Sequence, residues 1–141
     1  MINNKTIVII GCGRLGSSIA KKLSNDGENV LVIDKNIDSF NKLDDFSGFT
    51  QCGDATDLLF LENLNISKAK AIVITTESDE VNVYLGHVCF VIFNSQSIYI
   101  RLSDANKAKL LDNTPIKAIY PFLLSLNAFI DDFKEDKKLW K

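Results

Sequence analysis

Histidine and cysteine are scarce in this chain of 141 residues, which holds one His and three Cys. Cys12, Cys52 and Cys89 are odd in number, scattered and outside any metal-ligand spacing, so with His87 they make no structural zinc site. A basic excess is also missing. Sixteen Lys and Arg face eighteen Asp and Glu, for a formal net charge of −2. That balance excludes the positive face that nucleic acids require and gives no sign of an anionic membrane surface as partner. Long apolar runs are absent: the longest strictly apolar stretch, Val88–Phe93, is far too short to cross a bilayer. The N-terminus carries one cation before an apolar run that ends in glycines, which reads as a strand and not as a signal peptide. No Pro/Gly/Ser-rich linker marks an internal boundary. The expectation is a single cytosolic domain with no direct membrane insertion.

What is present is the composition of a soluble globular protein, 46% hydrophobic and 24% charged, with length for one well-buried core. Apolar runs alternate with helical patterns from end to end. Thr6–Ile10 is β-branched and apolar on both faces, as in a strand covered by helices above and below. Leu15–Ser24 has helical spacing, with Leu15, Ile19, Ala20 and Leu23 on one side, and Asp26-Gly27 stops it. Asn29–Asp34 reads as the second strand, and Ile37–Phe46 as a helix with Ile37, Phe40 and Leu43 inward. Gly48–Gln51 follows as a short strand, then a helix over Asp57–Leu64 with Thr56 as N-cap. Lys70–Thr75 is the fourth strand, and Ser78–Asn94 a long helix, apolar almost all round in its second half. Ser97–Arg101 and Ile116–Tyr120 are the last strands, separated by a helix over Asp104–Leu111. Pro121 opens a final helix, Phe122–Lys134. Repeated βα units require parallel strands and right-handed crossovers. The predicted fold is therefore α/β: a Rossmann-type, doubly wound, parallel six-stranded sheet in the order 3-2-1-4-5-6, with a C-terminal helix. Residues 1–134 form the domain and 135–141 a charged tail carrying an isolated Trp140.

Gly11-Cys12-Gly13-Arg14-Leu15-Gly16 is a GxGxxG pattern that directly follows a strand and directly opens a helix, the context that gives it meaning. Gly11 permits the tight turn, Gly13 lets backbone approach a pyrophosphate, and Gly16 lets helix pack close to strand. Free amides and the positive end of the helix dipole then favour phosphate. Asp34 ends the second strand, where a carboxylate accepts hydrogen bonds from ribose hydroxyls and repels a 2′-phosphate. Arg14 can reach terminal phosphates. Gly53-Asp54 and Thr75-Thr76-Glu77 lie at the carboxyl edge of the sheet, where ligands sit in open α/β folds. Cys12, at a helix start, is either a thiol of lowered pKa or inert packing beneath the loop, and packing is the expectation.

The stretches VIIGCGRLGSSIAKKL, VLVIDKN and GDATDLLFLENLNISKAKAIVITTESDEVN together resemble the nucleotide-binding domain of the potassium-uptake regulators. These are the TrkA and KtrA proteins, whose domains are called RCK, KTN or TrkA-N. The resemblance runs from about Thr6 to Asp112 and continues weakly to the last helix. It implies a non-enzymatic cytosolic subunit, peripheral to the inner membrane face, that gates a potassium-transporting Trk/Ktr-type membrane protein. It implies binding of ATP, ADP, NAD or NADH, with AMP possible, and assembly as dimers or rings. By position, Gly11, Gly13, Arg14 and Gly16 would hold phosphates, and Asp34 the ribose. Asp54 and Ala55 would line the adenosine side, Thr75, Thr76 and Glu77 the far side, with Cys12, Leu15, Lys35 and Gly53 among the cofactor-binding positions. Arg101 matches a basic position facing the ligand or a neighbouring subunit.

The chain departs from that pattern in lacking the usual smaller C-terminal lobe. It also lacks the glycine before the sixth strand and the Pro-Glu after it, since Phe122 follows Pro121. Phe122, Leu126, Phe129, Ile130 and Phe133 form one stripe on the last helix. In the resembled family that helix crosses to a partner subunit, although the same stripe would serve a helix folded onto its own sheet. The long helix before the fifth strand is either a second contact surface or deeply buried, and its His87 has the look of a core or interface residue. Two other functions stay open from the residues: a stand-alone nucleotide sensor, and an NAD-dependent oxidoreductase, which the missing substrate domain disfavours.

Overall fold

β-Branched, doubly apolar segments make the centre of the molecule. In the computed structural model, which describes residues 2–139, all five residues of β1 (Thr6–Ile10) are buried. Beside it lie β2 (Asn29–Asp34), β3 (Phe49–Cys52), β4 (Ala71–Ile74), β5 (Ile98–Arg101) and β6 (Lys117–Ile119). All neighbouring pairs are parallel, in the order β3-β2-β1-β4-β5-β6. Alternate side chains leave opposite faces of a strand. On one face Ile7, Ile9, Val30, Val32 and Val73 pack with Ala20 of helix α1 (Arg14–Asn25). On the other, Val8, Ile10, Leu31, Ile33, Ile72 and Ile74 pack with Leu61 of α2 (Leu58–Asn63) and Leu85 of α3 (Asp79–Val91). The predicted doubly wound sheet is the observed one. Among the described residues, no helix is long and apolar enough to cross a membrane.

Several elements differ from expectation at their edges. The predicted helix Ile37–Phe46 is a 3₁₀ segment, Ile37–Lys42, and Ile37 points outward with 67% exposure. Its start is held by the Asn36 side chain accepting from Asp38 N–H, and Asp45 beyond it takes a left-handed φ of 59°. The predicted helix Asp104–Leu111 is likewise a 3₁₀ segment, Ala105–Leu111, with Asp104 as its cap. Thr56 is not the N-cap of α2. Asp57 is, accepting from Leu59 N–H, because Thr56 is already bound to Asp54. The helix expected over Ser78–Asn94 is shorter: Ser78 is its cap, and Asn94 beyond its end takes φ 58°.

The last helix, α4, starts at Pro121 as expected but runs to Leu139, so the predicted charged tail is helical through that residue. Trp140 lies outside the described residues. Phe122, Leu126, Phe129 and Phe133 of α4 are exposed, and the alternative of a helix folded onto its own sheet is not what the chain adopts. His87 is bonded within the chain: its Nε2 lies 2.8 Å from the carbonyl oxygen of Leu110.

Candidate functional site

The carboxyl ends of β1, β2, β4 and β5 open into one cleft of about 1280 Å³. Its floor is the turn between β1 and α1. Gly11 takes φ +102°, a left-handed conformation that favours glycine, and its N–H donates to Ile33 O at 2.8 Å. A Cβ on Gly16 would run into the carbonyl oxygen of Gly11, so this glycine is what lets α1 sit against the turn. Nothing lies within 4 Å of where a Cβ on Gly13 would stand. Gly13 is also the N-cap of α1 and has no side chain to bond the helix's first amides, so the helix start meets the cleft uncapped. This is the steric opening an anion needs at a helix N-terminus.

Every predicted site residue except Gly16 lines this cleft. Gly16 is buried beneath it. On the β2 side, Asp34 braces the turn: Oδ2 accepts Cys12 N–H at 2.7 Å and Oδ1 accepts Asn36 N–H at 2.8 Å. An ionised carboxylate has further lone pairs, so acceptor capacity remains on both oxygens. Cys12 is fully buried, and its Sγ lies 3.4 Å from Ser39 O. Burial, then the nearby Asp34 charge, pushes its thiol above the ordinary value despite Lys42 and Lys21. It is packing, as expected, and not an activated thiol. Asp54 accepts from Thr56 Oγ1 at 2.7 Å and from Thr56 N–H at 2.9 Å, and these bonds hold its carboxyl below the usual range.

On the β4 side the predicted residues divide. Thr75 is buried, and its hydroxyl donates to Gly11 O at 2.9 Å, tying the end of β4 to the glycine turn. Thr76 and Glu77 follow at the rim. Arg14, Lys35, Lys42 and Arg101 all line the cleft, and none of the four has a salt bridge among the described residues. Lys42 comes from the 3₁₀ segment and was not anticipated. Nor was the wall contributed by α4, whose Pro121 and Ser125 reach the cleft.

Two further residues escaped the sequence reading. Asn82, fully buried on α3, bonds Thr76 and the carbonyl oxygen of Arg101. Asp79, one turn earlier, accepts from Ser103 N–H at 2.9 Å and Asp104 N–H at 3.1 Å. Their signal was present: in DEVNVYLGHVCF, Asp79 and Asn82 share the helical spacing of Leu85, Gly86 and Cys89, and a polar group on a buried face must be bonded.

A family model described as the TrkA-N domain matches residues 7–121. The chain belongs to the TrkA-N domain family. Among other members is the Trk system potassium uptake protein TrkA homolog of Pyrococcus horikoshii, 30% identical over 121 residues. That alignment covers 84% of this chain and 53% of the relative. This TrkA-N domain thus spans about half the length of the curated relatives it matches. Solved structures share its fold. The GsuK channel bound to NAD superposes with a TM-score of 0.80 at 21% identity, covering 94% of this chain and 24% of that one. The Shewanella denitrificans Kef CTD in AMP-bound form gives 0.72 at 20% identity, covering 92% and 80%.

Proposed function

We propose that this TrkA-N domain is a cytosolic, non-enzymatic regulatory module that binds an adenine nucleotide and gates a potassium transporter or channel. The observation that carries the reading is the convergence on one cleft of four cations without salt bridges among the described residues, an uncapped helix start and the strand-end carboxylate of Asp34. Positive side chains gathered around an uncapped helix N-terminus favour an anion. In this reading Gly11, Cys12, Gly13, Arg14, Leu15 and Gly16 form the phosphate seat, and Asp34 with Lys35 holds the ribose. Gly53, Asp54 and Ala55 take the adenosine side, and Thr75, Thr76, Glu77 and Arg101 the far side. The NAD and AMP of the structural neighbours fit the same chemistry.

Hydride transfer is not part of the proposal, because it needs a proton donor beside the cofactor. The single histidine, His87, is bonded to Leu110 O and does not line the cleft. For partners we propose a Trk/Ktr-type membrane protein, the system for which the relatives are named, and a second copy of this chain seated on the exposed stripe of α4. Gating requires that the ligand bind one arrangement of subunits better than another.

Calorimetric titration of the domain with ATP, ADP, AMP, NAD and NADH tests the core of this reading. Binding of at least one is expected, and Asp34→Ala should weaken it roughly tenfold to a hundredfold, the scale of a lost hydrogen bond to a charged group. If folded protein takes up no adenosine phosphate at millimolar concentration, the reading fails.

A further inference from the structure

The ladder between β4 and β5 ends at the pair Ile74–Ile100. Beyond it the chain continues into the cleft as Thr75-Thr76 on one side and Arg101 on the other, with no backbone bond between them. Asn82 bridges that gap. Its Oδ1 accepts Thr76 N–H at 3.1 Å and the Thr76 hydroxyl, while Nδ2 donates to Thr76 O at 3.0 Å and to Arg101 O at 2.9 Å. Since the backbone N–H of Thr76 must meet an oxygen and the two carbonyls must meet the NH₂, the amide has one possible orientation. A primary amide offers two donors and two acceptor sites, and all four are used. Asn82 has nothing left for a ligand and is fully buried. Whatever it does in the cleft, it does through others.

Those others are the two residues at the distal wall. Arg101 lines the cleft and forms no salt bridge among the described residues, so what fixes its place there is its backbone. That backbone is held on the β6 side by the strand pairing with Ile119, and on the β4 side by Asn82. We propose that Asn82 is a positioning residue that fixes where Arg101 and Thr76 stand, and thereby sets the affinity for the part of a nucleotide extending past its first phosphate. The inference rests on the nucleotide reading above. Thr76 abuts the glycine turn, but Arg101 ends β5, three strands from Asp34 on β2, or about 14 Å at the usual strand spacing, so a ligand with its ribose at Asp34 reaches Arg101 only if it extends past its first phosphate. Misplacing Arg101 therefore costs NAD affinity and leaves AMP untouched.

The test is titration of wild type, Asn82→Ala, Arg101→Ala and the double variant with AMP and with NAD. Asn82→Ala is expected to weaken NAD about tenfold, the scale of one displaced charged contact, and to change AMP by less than about twofold. Arg101→Ala should show the same split, and adding Asn82→Ala to it should cost NAD nothing more, because the two act in series. Equal losses for NAD and AMP, or additive effects of the two substitutions, would mean that Asn82 only supports the fold, and the proposal would be overturned. Wild type binding neither ligand would remove the nucleotide reading itself, and this one with it. Should Asn82→Ala not fold, Asn82→Ser carries the same comparison: it adds no charge, and its hydroxyl has a single donor and cannot serve both Thr76 O and Arg101 O.

Discussion

At the scale of single residues, the first turn of α3 does work that a count of charges would not reveal. Asp79 is almost fully buried, and burial raises a carboxyl group's pKa. The N–H groups of Ser103 and Asp104, with Lys107 at 3.5 Å, outweigh that effect and hold it below the ordinary value. Because the folded value lies below the unfolded one, its contribution is complete above the unfolded aspartate value of about 3.9 and is lost as pH falls through the folded value. Asp79→Asn should therefore destabilise the domain by about 1–3 kcal/mol at neutral pH. Denaturant unfolding at pH 7 and pH 3 checks this: the gap to wild type is expected to shrink in acid, and a gap independent of pH would refute it. The glycine turn and the strand-end place of Asp34 were legible in the sequence because they depend on local context, strand before and helix after; the bond by which Asp34 braces the turn through Cys12 N–H was not. Thr75 was legible only as a position. That its hydroxyl bonds Gly11 O is a contact across sixty-four residues of chain, which spacing does not encode.

At the scale of elements, the strands were readable to within a residue or two, since β-branched apolar runs have few alternatives. The helices misread were those whose apolar residues recur every third position. Ile37, Phe40 and Leu43 suit a 3₁₀ turn with three residues per turn as well as an α-helix, and the chain takes the former. The extension of α4 to Leu139 was hidden because charge alone suggested a tail. Yet DDFKEDKK is made largely of helix-compatible residues, and Lys137 sits 5.1 Å above the Phe133 ring, which itself stacks on Phe129 at 5.8 Å. The exposed stripe of α4 carries its own prediction. Phe129→Asp should leave the domain folded while weakening self-association roughly tenfold to a hundredfold, the scale of one aromatic side chain withdrawn from an interface. Sedimentation over a concentration series reads it, and identical profiles for variant and wild type would remove α4 as the contact.

At the scale of the whole molecule, the strand order makes the cleft inevitable. The crossovers diverge on either side of β1, and an opening is left above its carboxyl end. This much followed from the alternation of strand and helix in the sequence, whereas the course of α4 did not, because one apolar stripe suits either a sheet or a partner. A ligand that binds only the folded form must also stabilise it as a whole. At a hundred times its dissociation constant NAD should add about 2.7 kcal/mol, visible as a raised thermal midpoint, whereas Asp34→Ala at the same concentration should gain only about 0.4–1.4 kcal/mol. An unchanged midpoint would argue against binding to the native state. Finally, α4 touches the cleft with Pro121 and Ser125 yet extends through nineteen residues. At 1.5 Å per residue it is a rod of about 28 Å pivoted at the cleft wall, so a tilt of about 5° at that pivot swings its free end by about 2.5 Å. A shift too small to disturb the sheet becomes, at the far tip, a displacement comparable to the radius of the helix backbone.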